Sequence, residues 1–339
     1  MVHEHRRITI VDIAKTLGIS PKSVSFGLND TGRLSSELRQ KIKETAQRLG
    51  YRPNLAAKRL VTHGSYLIGA LLPYTQASFT GKILDGLEAV MQREEIGLML
   101  GNGGEDPAGV ERGVKQMLQY GVSGLLIMPL VTNWKVYADL LADVDFPVVQ
   151  IMNPQPQIGS HYVEVNNVLA ANEAVQHLLR LGHKKIGFIS CEHGDISMAQ
   201  RTLGYRMAME QSGLPFMPEW IEEIGCIDDS HDSICHLLDR CPELTALFCV
   251  CDKVALEALK ILRERNINVP RDFSVMGFDD MDFASQQVVF PMTTVKQPQT
   301  QIGQIAGEML LALLRGESVH SVSMGCEIVE RKTTAPLVV

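Results

Sequence analysis

The sequence predicts an all-α helix-turn-helix head joined to an α/β body of two lobes, each lobe a doubly wound parallel sheet. Three observations lead to this prediction. Helix caps and helical apolar spacing occur three times within the first 50 residues. From residue 66 onward, apolar strand-like runs alternate with longer amphipathic stretches, which is the pattern of parallel sheets covered by helices on both faces. The charge is also divided unevenly between the two parts.

The composition is that of a globular protein with a substantial core. The 339 residues are 45% hydrophobic and 21% charged, which is ordinary for a folded soluble chain and argues against disorder. No apolar run reaches the ~18 residues of a membrane span. The N-terminus has basic residues without the apolar segment and cleavage site of a signal peptide. We therefore expect a cytoplasmic protein.

The net charge of −7 conceals an asymmetry along the chain. Residues 1–62 contain 12 Lys and Arg against 5 Asp and Glu, so they carry +7, and the remainder carries −14. A basic head on an acidic body indicates that only the head meets a polyanion. The alternative is an ordinary fluctuation of charge in a short segment.

Three short helices are predicted in the head. Capping residues and terminating glycines place them at Ile10–Leu17 before Gly18, from Ser20 and Pro21 to about Leu28, and from Ser35 or Ser36 to Leu49 before Gly50. A helix, a short glycine-containing turn and a second capped helix make up the helix-turn-helix plan, whose second helix enters the DNA major groove. The spacing places Val24 and Leu28 toward the core and leaves an outer face of Pro21, Lys22, Ser25 and Phe26.

The body contains enough alternating segments for two sheets. Seven apolar runs are predicted as buried strands: 66–73, 96–102, 123–129, 147–152, 184–190, 245–251 and 273–279. The amphipathic stretches between them are predicted as helices: 82–94, 109–120, 167–181, 201–212 and 253–265. Two doubly wound lobes of this kind place a ligand cleft between them.

No residue pattern indicates a metal site, a cofactor or catalysis. The seven cysteines are odd in number and irregularly spaced, which argues against a disulfide framework. His231, Cys235, His236 and Cys241 suggest zinc, but adjacent helical ligands point about 100° apart, so thiols on an amphipathic helix are the better interpretation. Asp279, Asp280 and Asp282 lack further ligands for a cation. We expect neither an enzyme nor a cofactor.

Several segments resemble the LacI/GalR family of bacterial transcription regulators. The head and hinge segments are ITIVDIAKTLGISPKSVSFGLND and GYRPNLAAKRL. The similar segments of the body are VSGLLIMP, VNNVLAANEAVQHLLRLGHKKIGFI, RTLGY, CDKVALEALKILRERNINVPRDFSVMGFDD, MTTVKQP and ERKTTAP. These landmarks occur in the family's order along nearly the whole chain.

The resemblance implies a homodimer that binds a palindromic operator on double-stranded DNA, with a periplasmic-binding-protein-like body that closes on a small effector. It implies a helix-turn-helix domain at 1–52, a hinge helix and linker at 53–65 and an effector-binding and dimerisation domain at 66–339. The N-lobe would comprise about 66–164 and 293–322, and the C-lobe about 165–292. The chain would cross between lobes near Val165, near Pro291, and between about Ser321 and Gly325.

The resemblance also assigns DNA contacts to particular residues. The positions that read bases are Pro21, Lys22 and Phe26, and those that contact the phosphate backbone are Thr9, Ser20, Ser23, Ser25 and Asn29. In the hinge, Asn54 and Ala57 flank Leu60, which matches the family's minor-groove wedge. Many members carry Arg at the position of Phe26, which cannot donate a hydrogen bond. Phe26 is left with two interpretations, contact with a thymine methyl group or filling of the helical core.

Arg201 and Asp279 match the family's most dependable effector contacts, and Phe79, Ser197 and Gln297 are further matches. A guanidinium donates to vicinal oxygens and a carboxylate accepts from hydroxyl groups, so this chemistry suits a sugar or sugar derivative. The alternative is a structural ion pair between lobes. Sugar-specific members often carry polar residues where this chain has Pro73, Met128, Met152 and Cys251. Either the effector is less hydroxylated than a free hexose, or the match slips locally.

Together these features predict a DNA-binding transcriptional repressor whose operator affinity is controlled by a carbohydrate-like effector. The alternative is a solute-binding protein without a transcriptional role, which would lack the head and carry a secretion signal. An enzyme ranks third, because an α/β fold alone specifies no chemistry. The predicted dimer contact lies on the helical faces around 82–94 and 109–120.

Overall fold

The computed structural model describes residues 8–51, 67–73, 77–104, 106–130, 133–191, 196–225, 227, 230–285 and 291–338. The chain divides into two compact units, Met1–Gly64 and Ser65–Val339. The predicted hinge residues Asn54, Ala57 and Leu60 lie outside the described residues. No helix in the described part of the chain is long and apolar enough to span a membrane.

The first unit contains the three helices that the sequence predicts, α1 (Ile10–Leu17), α2 (Pro21–Leu28) and α3 (Ser36–Arg48). Their shared core consists of Ile13, Ala14, Val24, Ile42 and Ala46, and Leu28 packs against its edge. The helices begin at Thr9, Ser20 and Ser35, whose side-chain oxygens accept from the backbone N–H three residues ahead. Such caps satisfy backbone donors that a helix leaves unpaired at its start.

Gly27 determines how closely α2 approaches α3. A Cβ atom at Gly27 would lie 2.5 Å from Cδ1 of Ile42, so a larger residue would require the Ile42 side chain to shift. The sequence pattern gave no sign of this contact, because a glycine inside a short helix has no periodicity of its own. Because Gly27 has no side chain, α2 lies close to α3, and the opposite face of α2 points outward.

The second unit alternates strands and helices. The helices are α4 (Ala77–Arg93), α5 (Pro107–Gln119), α6 (Trp134–Leu141), α7 (Asn167–Arg180), α8 (Ile196–Gln211), α9 (His231–Arg240), α10 (Asp252–Glu264), α11 (Asp282–Ser285) and α12 (Gln299–Leu314). The strands are β1 (Leu67–Leu72), β2 (Gly97–Asn102), β3 (Leu125–Ile127), β4 (Val148–Ile151), β5 (Tyr162–Val165), β6 (Ile186–Cys191), β7 (Ile221–Ile224), β8 (Ala246–Cys249), β9 (Ser274–Asp279), β10 (Thr293–Lys296), β11 (Val322–Met324) and β12 (Glu327–Val329).

These strands form two six-stranded sheets, and the two-lobed doubly wound prediction is confirmed. The first sheet has the order β11-β5-β4-β3-β1-β2 and is parallel throughout. The second has the order β12-β10-β9-β8-β6-β7 and is parallel except for β12, which runs antiparallel to β10. Helices cover both sheets, which explains why the central strands read as continuous apolar runs.

The chain passes between the lobes three times, and one predicted crossing is wrong. The first passage follows Val165 at the end of β5, and the third lies between β11 and β12. The second was predicted near Pro291, with 293–322 in the N-lobe. Instead β10 pairs in parallel with β9, with Thr293 opposite Met276, so the crossing comes after Lys296. The β-branched run TTV extends the second sheet by one more strand before the chain leaves it.

Helices α4 and α12 cross at two glycines in the first lobe. A Cβ atom at Gly86 would overlap the carbonyl oxygen of Thr300, and one at Gly303 would overlap that of Ile83. Backbone therefore meets backbone at this crossing, and the flanking Leu87 and Ile302 are buried in the first-lobe core. The crossing fixes α12, the helix that follows the second passage between lobes, onto the first sheet.

We expect Gly86→Ala to lower the free energy of unfolding by about 1–3 kcal/mol, because the added methyl group has no space at the crossing. The measurement is urea denaturation followed by circular dichroism. Gly81→Ala is the matched control, since Gly81 lies in the same helix with no atom within 4 Å of the added Cβ. The control should retain or gain stability through helix propensity, and equal losses in both variants would contradict close packing at Gly86.

Candidate functional site

The first turn of α2 is the exposed surface of the head that the sequence assigned to DNA. Pro21 and Lys22 are exposed, and Ser20 caps the helix by accepting from the backbone N–H of Ser23 at 3.1 Å. Proline at this position has no N–H that would lack a partner. The start of a helix combines unpaired N–H groups with positive dipole charge, an arrangement that favours phosphate.

The hydroxyl-bearing residues assigned to phosphates take part in local caps. Ser20 Oγ lies 2.9 Å from Ser23 Oγ, and Thr9 Oγ1 donates to Asp12 Oδ2 at 2.6 Å. Asn29 Nδ2 donates to the carbonyl oxygen of Ser25 at 2.9 Å. Their polar atoms thus lie at helix ends on the surface of the head.

Phe26 is half-buried and lies outside the three-helix core. The ammonium group of Lys22 lies over its ring, with Nζ 5.7 Å from the ring centroid. On another side the ring meets Gly32, where a Cβ atom would lie 2.6 Å from Phe26 Cδ2. Phe26 therefore packs between the first turn of α2 and the loop that follows the helix.

The loop after α2 is fixed to α3 by one carboxylate. Asp30 has a φ of 53°, and its side chain accepts from Lys43 Nζ at 2.8 Å and from Arg39 Nη1 at 3.2 Å. The hydrogen bond from Lys43, with that from Arg39, lowers the pKa of Asp30. The carboxylate thus stays ionised and holds the loop at neutral pH.

In the body, Arg201 is buried in the second lobe. Its Nε donates to Asn167 Oδ1 at 3.0 Å, and its Nη1 donates to the carbonyl oxygen of Val250 at 2.6 Å. The guanidinium carbon lies 3.7 Å from the centroid of the Phe278 ring. Partners from α7, the end of β8 and β9 therefore hold the charge in one orientation.

Asp279 ends β9 beside this guanidinium. Its Oδ1 lies 3.5 Å from Arg201 Nη1 and accepts from Gln297 Nε2 at 2.7 Å. Its backbone oxygen accepts from Gln299 Nε2 at 2.7 Å. We call these six residues the interlobe site: Asn153, Asn167, Ser197, Arg201, Asp279 and Gln297.

Two strand ends at this site adopt a backbone conformation that favours glycine. At the end of β9, Asp279 and Asp280 have φ values of 113° and 54°, and after β4, Met152 and Asn153 have values of 58° and 32°. Non-glycine residues in this region are strained and cluster at functional sites. Both pairs lie at the carboxyl ends of parallel strands, where α/β proteins bind ligands.

Two polar contacts join the lobes beside these strand ends. Asn153 Oδ1 in the first lobe accepts from the backbone N–H of Ser197, at 3.1 Å, and from its hydroxyl group. Lys82 on α4 approaches Asp282 Oδ1 at 2.9 Å and donates to the carbonyl oxygen of Asp280 at 3.2 Å. The contacts of Asn153 and Lys82 therefore join the two lobes beside the interlobe site.

Asp252 lies beneath the site and is fully buried. It accepts from the hydroxyl of Thr294 and, at 2.7 Å, from the backbone N–H of Met281. Burial raises the pKa of Asp252 well above its usual value, and the nearby charge of Asp279 adds to this effect. Burial likewise raises the pKa of Cys251 to about 12, which makes this thiol a poor nucleophile.

The structure brings Arg201, Asp279 and Gln297 together. Ser197 donates hydrogen bonds to Asn153 of the other lobe. Phe79 is buried in the first-lobe core, in the same cluster as Met128 and Met152. Sequence analysis missed Asn153, Asn167 and Lys82. A usable signal existed for Asn167, since it begins the helix directly after β5, at the ligand-facing edge of a parallel sheet.

The His and Cys residues of α9 that suggest zinc make other contacts instead. His231 Nδ1 lies 2.9 Å from Glu257 Oε1, and His236 Nδ1 lies 3.2 Å from Glu222 Oε1. Cys241 is buried at the end of the helix. Within the described residues, no three His, Cys, Asp or Glu side chains are grouped as metal ligands.

Comparison with known proteins gives matches along most of the chain. Residues 9–54 match the family described as bacterial regulatory proteins, lacI family, and residues 175–334 match a periplasmic binding protein-like domain. The HTH-type transcriptional repressor PurR of Haemophilus influenzae strain PittEE is 30% identical over 305 residues, which cover 89% of this chain and 90% of the repressor.

Two further matches bear on function and fold. The ribose operon repressor of Haemophilus influenzae Rd is 28% identical over 311 residues, covering 91% of this chain and 92% of that protein. The lac repressor dimer, solved with operator and the anti-inducer ONPF, superimposes with a TM-score of 0.86 at 24% identity, covering 97% of this chain and 100% of the other. The last match shows the fold.

We expect Asp252→Asn to make stability less dependent on pH. A pKa that is higher in the folded than in the unfolded state gives stability at low pH that is lost as pH rises above about 4 toward the folded value, by at most ~1.4 kcal/mol per pH unit. Asparagine removes this loss while keeping an acceptor for Met281 and a donor for Thr294. Urea denaturation of both proteins from pH 4 to 8 measures it; a difference that does not grow with pH would contradict the assignment.

Proposed function

The chain belongs to the LacI family of bacterial transcriptional regulators, and on that premise we propose that it is a repressor whose affinity for a palindromic operator is set by a small effector bound between the body lobes. The observation that carries the DNA-binding function is the exposed, capped first turn of α2 on a head with a charge of +7 over residues 1–62. Affinity of a basic surface for DNA comes mainly from phosphates, and specificity comes from base edges.

The proposed contacts keep the roles given above. Lys22 donates to guanine, Pro21 and Phe26 contact neighbouring base edges, and the capping hydroxyls of the head contact phosphates. Leu60, flanked by Asn54 and Ala57, would wedge into the minor groove at the operator centre. A solute-binding protein accounts for the body alone, whereas a regulator also accounts for the head.

The proposed effector site is the interlobe site. Arg201 and Asp279 offer a donor fork and an acceptor to a hydroxylated ligand, and both lie at the carboxyl edge of the second sheet. The relatives include a ribose operon repressor by name, which supports a small polar metabolite.

We also propose a homodimer that acts in the cytoplasm. A palindromic operator requires two heads related by a two-fold axis. The exposed large apolar side chains of the first lobe include Leu100 on edge strand β2, at 48%, and Tyr120 after α5, at 57%. They lie beside the helical faces around 82–94 and 109–120, and such side chains suit the core of a dimer contact. Light scattering at micromolar concentration tests this assembly.

Selection of bound sequences from a random duplex library tests the DNA-binding function. We expect enrichment of one palindrome, and Lys22→Ala should weaken binding to it by ~1–3 kcal/mol and relax preference at one base pair per half-site. Lys41→Ala, which removes the same charge from an exposed position on α3, is the control. If the selection enriches no sequence, the DNA-binding function is overturned. If Lys22→Ala weakens binding to selected and random DNA equally, Lys22 contacts only phosphate.

A thermal-shift screen of sugars, sugar acids, sugar phosphates and purines tests the effector site. A true ligand at about 100 times its Kd stabilises the fold by ~2.7 kcal/mol, and Asp279→Asn should abolish that shift while operator binding persists. Asp232→Asn removes an exposed carboxylate from the first turn of α9 and should leave the shift intact. An unchanged shift in Asp279→Asn would place the effector elsewhere.

A further inference from the structure

The contacts of Lys22, Phe26 and Gly32 indicate that the head's base-reading side chains are assembled before DNA arrives. We propose that Gly32 and Phe26 position Lys22, and that the ring of Phe26 reads a thymine methyl group within two base pairs of the guanine bound by Lys22. This inference rests on the operator-binding function proposed above. Gly32 contacts no base in this account; it is a positioning residue that acts through Phe26.

The first step is the arrangement of the lysine. Lys22 and Phe26 are four residues apart on α2, so their side chains lie on the same face of the helix. The ammonium group lies 5.7 Å from the ring centroid, within the range of a cation–π contact. A free lysine side chain has many rotamers, and the ring restricts this one before the base is met.

The second step is the support of the ring. Gly32 has a φ of 67°, and a Cβ atom there would lie 2.6 Å from Phe26 Cδ2 and 2.8 Å from Cγ. The loop that carries Gly32 is fixed in turn, because Arg39 Nη2 donates to the Gly32 carbonyl oxygen at 3.3 Å. Thr31 N also donates to the carbonyl oxygen of Phe26 at 3.0 Å. Helix α3 therefore sets the place of the ring.

The third step is the chemistry of readout. A phenyl ring has no hydrogen-bond donor, and the distinctive apolar group in the major groove is the thymine methyl group, whereas a lysine donates to guanine O6 and N7. Base pairs are stacked about 3.4 Å apart, so the 5.7 Å between ammonium and ring spans at most two steps. The half-site should therefore contain a guanine and a thymine at that separation.

The test uses full-length protein and the palindrome enriched in the selection experiment. Each thymine of one half-site and its symmetry mate is replaced by deoxyuridine, which removes only the methyl group. Each guanine is replaced by 7-deazaguanine, in which a C–H group takes the place of the acceptor N7. We expect one thymine position whose replacement weakens binding about fourfold, the loss expected for one buried methyl group. It should lie within two base pairs of the guanine that is sensitive to 7-deazaguanine.

Variants identify the residues responsible. Phe26→Ala should abolish the thymine–deoxyuridine difference and reduce the guanine–7-deazaguanine difference, because the lysine loses its support. Gly32→Ala should reduce both differences by displacing the ring. Gly50→Ala is the matched control, since Gly50 has nearly the same φ of 68° but no atom within 4 Å of the added Cβ. The control carries equal backbone strain and should keep both differences at their original size.

The outcomes separate this inference from the function on which it rests. Absence of any enriched palindrome would refute the DNA-binding function itself. An enriched palindrome with no methyl-sensitive thymine, or with a thymine whose sensitivity survives Phe26→Ala, would overturn the inference alone. If Gly32→Ala melts below the assay temperature, Phe26→Leu is used in its place. Leucine retains apolar contact but has no ring face, so the difference in binding between guanine and 7-deazaguanine should shrink. An unchanged difference would overturn the positioning role of Phe26.

Discussion

The need to satisfy one buried cation, Arg201, organises the body of this protein. A guanidinium removed from water is stable only where hydrogen bonds and opposite charge replace its hydration. Asn167 from α7, the Val250 carbonyl after β8 and Asp279 at the end of β9 supply them. These groups come from one helix and from the ends of two neighbouring strands of the second sheet, so the charge is accommodated only where these elements pack together. In the proposed function, the same charge meets the effector at the carboxyl edge of the second sheet.

The strained strand ends follow from this arrangement. Asp279 faces Arg201 and Gln297 with a backbone φ of 113°, and Gln299 donates to its carbonyl oxygen. The first lobe presents Asn153 across the junction with a similar turn of the chain. A ligand that replaces any of these contacts changes how the lobes meet. A site of this kind suits control of a DNA-binding head better than it suits chemistry on the ligand, since burial keeps the neighbouring thiol of Cys251 protonated.

Sequence predicted the parts of this account that depend on local pattern. The head helices, the alternating strands and the residues Arg201 and Asp279 follow from caps, periodicity and the family resemblance. The parts that depend on contacts between distant segments did not follow. The sequence predicts β10 in the wrong lobe, because a four-residue strand carries no signal for the strand with which it pairs. Nothing in the sequence indicates that neighbouring helices pack closely against Gly27 and Gly86. Asn153 was missed because its partner Ser197 lies in the other lobe.

The central claim is that one chain couples occupation of the interlobe site to operator affinity. Such coupling is reciprocal, so an effector that changes the Kd for operator by a given factor must see its own Kd changed by the same factor. The direct measurement is fluorescence anisotropy of the selected operator without and with a saturating ligand from the thermal-shift screen, together with calorimetry of that ligand without and with operator. The account predicts equal factors of about 5 or more in the two titrations. An operator Kd that is unchanged when the interlobe site is saturated would contradict it.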